Sequence, residues 1–115
     1  MHRFSWLLGL VLAGCAEPPP AKSPPREEQS YADAIRTICE VDAHSGANPD
    51  DVLDVSSKRE EYLLAHVKNG DGIYFLTLFR TAGPVEQADT LEKEAARERI
   101  ARCALVSVLR ADAAR

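Results

Sequence analysis

Five of the seven prolines crowd into eight positions, at Pro18, Pro19, Pro20, Pro24 and Pro25, and the cluster divides the chain. Proline fixes φ, lacks a backbone N–H and favours extended polyproline II, so this stretch builds neither a helix nor a sheet ladder. Lys22, Arg26, Glu27 and Glu28 stand among and after the prolines and leave little to bury. Residues 15–30 therefore read as a tether, with a reach on the order of 40 Å at about 3.1 Å per residue. A proline-binding partner is the alternative use, and a spacer is the simpler one. What is left for folding is 31–110 with a short tail, room for one modest domain.

Ahead of the tether, Met1-His2-Arg3 is a positive start, and Phe4 to Leu12 is an apolar run broken only by Ser5 and Gly9. That is a secretory signal layout, with a core shorter than the roughly 20 residues a spanning helix needs. The run ends in Leu12-Ala13-Gly14-Cys15, which resembles the lipobox of bacterial lipoprotein precursors: an aliphatic residue, two small residues and a cysteine. The resemblance implies removal of residues 1–14 and a diacylglycerol on Cys15, so that lipid attaches the mature protein to a membrane. Ala16 gives no aspartate-type retention signal. The expected address is thus the periplasmic face of the outer membrane, with an envelope protein as possible partner.

Cleavage would take 14 of the 115 residues, leaving 101, and Arg3 and Trp6 would go with them. Thirteen Lys and Arg then face eighteen Asp and Glu, a formal charge of −5. An acidic chain without a basic cluster excludes nucleic acid from the expected partners.

With Cys15 so occupied, Cys39 and Cys103 remain as an even pair on the oxidising side of the membrane. A structural disulfide is the direct reading. Redox-active pairs more often sit close in sequence, as in Cys-x-x-Cys.

The segment after the tether reads as helical. Ser30 is placed to cap a first helix, with Asp33 in its first turn, and Tyr31, Ala34, Ile35 and Ile38 follow the i, i+3, i+4, i+7 rule. Ser45-Gly46 ends it. Asn48-Pro49-Asp50-Asp51 reads as a new start, followed by Val52, Val55, Tyr62, Leu63, His66 and Val67 at roughly helical spacing. Ser56-Ser57 is a possible break, because Ser57 with Glu60 would make a second capping box.

Gly72 to Ala82 is ambiguous. Phe75, Leu78, Phe79 and Ala82 fit one helical face, yet Ile73-Tyr74-Phe75-Leu76 is also good strand material. Helical neighbours and the Gly83-Pro84 stop favour a helix. From Val85 onward Val85, Ala88, Leu91 and Ala95 form a stripe, and Glu94 with Arg97 and Glu98 with Arg102 are spaced to pair on the wet side. Ile100, Cys103, Ala104 and Leu105 resume apolar contact, and 111–115 should fray. The expected fold is all-α: a small bundle of about four helices with one disulfide, preceded by a signal peptide and a Pro-rich tether.

The span from Ile38-Cys39 to Arg102-Cys103-Ala104-Leu105, with Tyr62-Leu63-Leu64-Ala65-His66-Val67-Lys68-Asn69 between, also resembles a set of small secreted or lipid-anchored proteins of myxobacteria and related Gram-negative bacteria. They pair an early Ile-Cys with a late Arg-Cys-x-Leu. The resemblance implies a helical, disulfide-linked domain and supplies no activity. It also leads one to expect a glycine where Glu98 or Arg99 stands.

Catalytic patterns are not found. His44 and His66 are not at i, i+4 spacing, no zinc-ribbon cysteines occur, and no Gly-x-Ser-x-Gly elbow is present. Asn69-Gly70-Asp71-Gly72 lacks the Lys-Ser/Thr of a phosphate loop, and Asp50-Asp51-x-x-Asp54 lacks EF-hand spacing. Glu92, Glu94 and Glu98 read as an exposed face rather than an acid/base pair. No catalytic residue, metal or cofactor is expected. The expected partner surface lies at Tyr74, Phe75 and Phe79, since so small a bundle has trouble covering three rings. A small-ligand carrier or a thiol-redox partner is the rival.

Overall fold

The computed structural model describes residues 28–115; the signal segment, Cys15 and most of the tether lie outside them. Among the described residues there are six helices and no strand: α1 (Tyr31–Cys39), α2 (Val41–His44), α3 (Val52–His66), α4 (Gly70–Arg80), α5 (Pro84–Arg97) and α6 (Ala104–Ala113). The all-α expectation and the disulfide hold, and the count rises from about four to six. No described helix is long and apolar enough to cross a membrane.

α1 is the hub. The Ser30 side chain accepts the Asp33 N–H at 3.0 Å and satisfies one of the first-turn donors that a helix leaves open. The stripe then buries Ala34, Ile35 and Ile38 completely, packed among α3, α4, α5 and α6. α1 does not run to Ser45. The backbone leaves helical geometry at Glu40, and a single turn, α2, follows and buries Val41.

α3 starts later than Asn48-Pro49 suggests. Asn48 Oδ1 accepts the Asp50 N–H at 3.0 Å in a local turn, and Asp51 is the true cap, accepting from Leu53 and Asp54 N–H. The helix continues through Ser56-Ser57, so the second capping box does not form. Its apolar face is thinner than the spacing predicts: Leu63 and the following Val67 are buried, while Val52 and His66 are exposed.

Gly72 to Ala82 resolves as helix up to Arg80, with Asn69 Oδ1 capping through the Gly72 N–H at 2.9 Å. Gly72 is where α4 crosses α1. A Cβ on it would stand 2.5 Å from Ala34 Cβ, so only glycine permits this approach.

The long last helix is two helices. α5 begins with Pro84 in its first turn after Gly83 and buries Ala88, Leu91 and Ala95; Val85 is exposed. It ends in a Schellman motif, with the Ile100 N–H on the Ala95 carbonyl at 2.8 Å and the Arg99 N–H on that of Ala96 at 3.0 Å. Arg99 occupies the left-handed position at φ 62°, so the glycine expected at 98 or 99 has a structural place that an arginine fills. The Glu98–Arg102 pair does not form among the described ion pairs, since the helix has already ended there. The chain re-enters a helix at Ala104, and 111–113 stay helical instead of fraying. Arg110 ties α6 to Asp89 at 3.0 Å and to Glu92 of α5.

A non-glycine residue in the left-handed region costs roughly 1–2 kcal/mol, part of which glycine loses again in the unfolded chain. Arg99→Gly is therefore expected to stabilise the domain by about 1 kcal/mol. A urea midpoint that fails to rise would show that the Arg99 side chain offsets its own strain.

Candidate binding surfaces

The disulfide joins Cys39, at the last turn of α1, to Cys103, the residue that precedes α6. The two Cα atoms are 4.7 Å apart across 64 residues of sequence. Cys39 is buried and Cys103 is half-buried at the edge of the core. The bridge thus closes the core between its first and last helices.

The tether meets the domain at a fixed point. Gln29 Nε2 donates to the His66 carbonyl at 2.9 Å, while its Oε1 accepts the N–H groups of Lys68 at 2.6 Å and Asn69 at 2.9 Å. Asn69 Nδ2 donates in return to the Gln29 carbonyl at 3.1 Å. One side chain therefore serves the open carbonyl end of α3 and the open amide end of the turn into α4. Residues 29 and 30 belong to the folded domain rather than to the spacer.

The three aromatic residues of the expected surface part company. Tyr74 is 68% exposed, whereas Phe79 is 6% exposed and belongs to the core. Phe75 lies between, packed on the core edge with its ring 5.6 Å from that of Phe79. Phe79 therefore leaves the surface, because the buried side of α4 is Gly72, Leu76 and Phe79, the side turned into the core. Ile73 and Leu78, both about half exposed, take its place beside Tyr74. At 100° per residue, Ile73, Tyr74, Thr77 and Leu78 fill one arc of α4 opposite the buried one. This outward apolar strip on a helix that is apolar on every side has no covering element among the described residues.

Two concavities flank α3. One, of about 440 Å³, opens between α3, α4, α5 and α6. Its floor is Leu63, Phe79, Leu105 and Leu109, each buried, and its rim is polar, with Ser56, Arg59, Thr77, Thr81 and Gln87. Glu60 and Arg80 pair across that rim, both about half exposed. The other, of about 630 Å³, lies between the start of α3 and the end of α6, with Val52, Val55 and Val108 among its walls. Arg59 separates the two and is held as a fork by Asp42, Nε to Oδ1 at 2.9 Å and Nη2 to Oδ2 at 2.8 Å.

Charged chemistry elsewhere is structural in form. The Tyr31 hydroxyl donates to Glu94 Oε1 at 2.8 Å, linking α1 to α5. Burial, then that hydrogen bond and the Glu94 charge, push its phenol well above the usual range. The Asn48 N–H holds the Asp54 carboxyl below its ordinary value. His44, Tyr62 and His66 stack in a column, with ring centres 6.1 Å and 3.9 Å apart, and His66 Nδ1 lies 2.9 Å from the Tyr62 carbonyl. No cluster of three His, Cys, Asp or Glu side chains able to hold a metal occurs among the described residues.

Comparison with protein-family models, with curated proteins and with solved structures finds no match.

Proposed function

We propose that this protein is a non-enzymatic binding module of the cell envelope, lipid-anchored through Cys15 at the periplasmic face of the outer membrane. In this reading the uncovered strip of α4 meets a protein partner. The observation that carries it is that strip: Ile73, Tyr74 and Leu78 are 47%, 68% and 55% exposed on one side of a single helix. Soluble domains seldom leave large apolar side chains grouped in this way without a use for them. The lipobox-like Leu12-Ala13-Gly14-Cys15 and the proline-rich spacer supply the anchor and the reach. The Gln29 clasp supports the same reading, because it joins the spacer to the domain beside the start of α4.

The test is photocrosslinking in the native host, with the probe at Tyr74 of the full-length chain and, as control, at exposed Glu86 on α5. A discrete adduct from position 74 alone, weakened in a Cys15→Ala background, is expected. No adduct at 74, or the same adducts from both positions, overturns the reading. The cleft of about 440 Å³ favours a second reading, a small-ligand carrier.

A further inference from the structure

The cleft between α3, α4, α5 and α6 joins an apolar floor to a single cation that is loosely held, and we infer that it binds a small carboxylic acid with a short apolar body. The floor, Leu63, Phe79, Leu105 and Leu109, comes from three helices and offers nothing to hydrogen-bond. Of the two arginines on the rim, Arg59 is committed: Asp42 grips it through two nitrogens, and its side chain is 19% exposed. Arg80 is different. It meets Glu60 through Nη2 alone, with the two side chains 41% and 51% exposed.

An exposed pair of this kind contributes little, since water screens it and two long side chains lose freedom in forming it. Arg80 can therefore exchange Glu60 for a ligand's carboxylate at small cost. A guanidinium presents two parallel N–H groups to a carboxylate, which gives direction as well as charge. With the acid group on Arg80, the body of the ligand would lie over the leucines and Phe79. Gln87 already donates to the Phe79 carbonyl at 2.7 Å, which commits one of its two amide N–H groups and leaves the other as a donor on the rim. The volume of about 440 Å³ is near the lower end of ordinary ligand sites and suits a short body. Glu60 stays nearby after the exchange, which disfavours dianions and favours a ligand of one negative charge.

This inference stands apart from the partner surface on α4, and either can fail alone. The probe is 3-phenylpropionate, titrated into the full-length chain in a non-ionic detergent while the leucine methyl signals are followed by NMR. 3-Phenylpropylamine, with the same body and the opposite charge, is the control for partition into detergent. Saturable shifts at Leu63, Leu105 and Leu109 are expected with the acid and not with the amine. Arg80→Gln should weaken the acid by about tenfold, the scale of one lost charge-assisted hydrogen-bonded contact. Glu60→Gln should tighten it several-fold, because the competitor is gone. No saturation, equal shifts from acid and amine, or an affinity untouched by both substitutions would overturn the inference. The opposite signs expected for the two variants separate loss of a ligand contact from loss of fold.

Discussion

Removing the Cys39–Cys103 bridge should lower the melting temperature of the domain by about 15–30 °C, the largest effect expected for any single change. The bond closes a loop of 64 residues, nearly three quarters of the described chain. In the chain-entropy account such a loop is worth about 4 kcal/mol, because the reduced unfolded chain regains conformations that the bridge denied it. A domain of this size has a net stability of roughly 5 kcal/mol or a little more, so the loss takes most of it. What remains to hold α6 is its packing on α5 and α1 and the Arg110 contacts to Asp89 and Glu92, and exposed pairs of that kind add little. The measurement is a melt of the full-length chain with and without reductant, beside a Cys39→Ala/Cys103→Ala variant. Alanine is preferred to serine at 39, since that side chain is buried and a hydroxyl there would lack a partner. A variant melting within a few degrees of the oxidised protein would show that the bridge is incidental to the fold.

The bridge was legible in the sequence only because the lipobox-like segment accounted for the third cysteine. The start of α1 was legible for a local reason: the Ser30 cap, Asp33 and the stripe from Ala34 to Ile38 all act within three turns. Where a helix ends was harder. Nothing between Arg97 and Arg102 is glycine or proline, so the pattern ran on, yet the chain turns at Arg99 with φ 62°. Tertiary packing of α5 against α6 overrides local preference there, and Ile100 is drawn towards the core. α4 posed the opposite difficulty, since apolar residues surround it and periodicity cannot choose a buried side. The informative residue was Gly72, which marks the side that approaches another backbone. The cleft was not legible at all. Its floor and rim come from positions spread between 56 and 109, and only the packing of four helices brings Leu63, Arg80 and Leu109 to one place.

Gly72→Ala should destabilise the domain by about 2 kcal/mol, and Gly72→Val by about 3 kcal/mol or more, although both residues are ordinary in helices. Helix propensity alone points the other way for alanine, by up to about 1 kcal/mol in its favour. The clash decides the sign. A Cβ at 72 would lie 2.5 Å from Ala34 Cβ and 3.3 Å from Val67 Cγ1, whereas carbon atoms rest at about 3.5–4.0 Å. Ala34 is fully buried on the central helix and has no room to retreat, so α4 must move outward. It is held at that same end by the Asn69 cap and the Gln29 clasp, and the displacement strains both. A double-mutant cycle isolates the cause. Ala34→Gly removes the opposing methyl and should by itself cost about 1 kcal/mol as a glycine within a helix. Added to Gly72→Ala, it should instead cost nothing further and recover up to about 1 kcal/mol, a coupling of about 1–2 kcal/mol between the two sites. Simple additivity would mean that the close approach of α1 and α4 is not what the glycine provides. The cycle also reaches the proposed surfaces, because the register of α4 on α1 decides whether Phe79 points into the floor of the cleft and Tyr74 away from the domain.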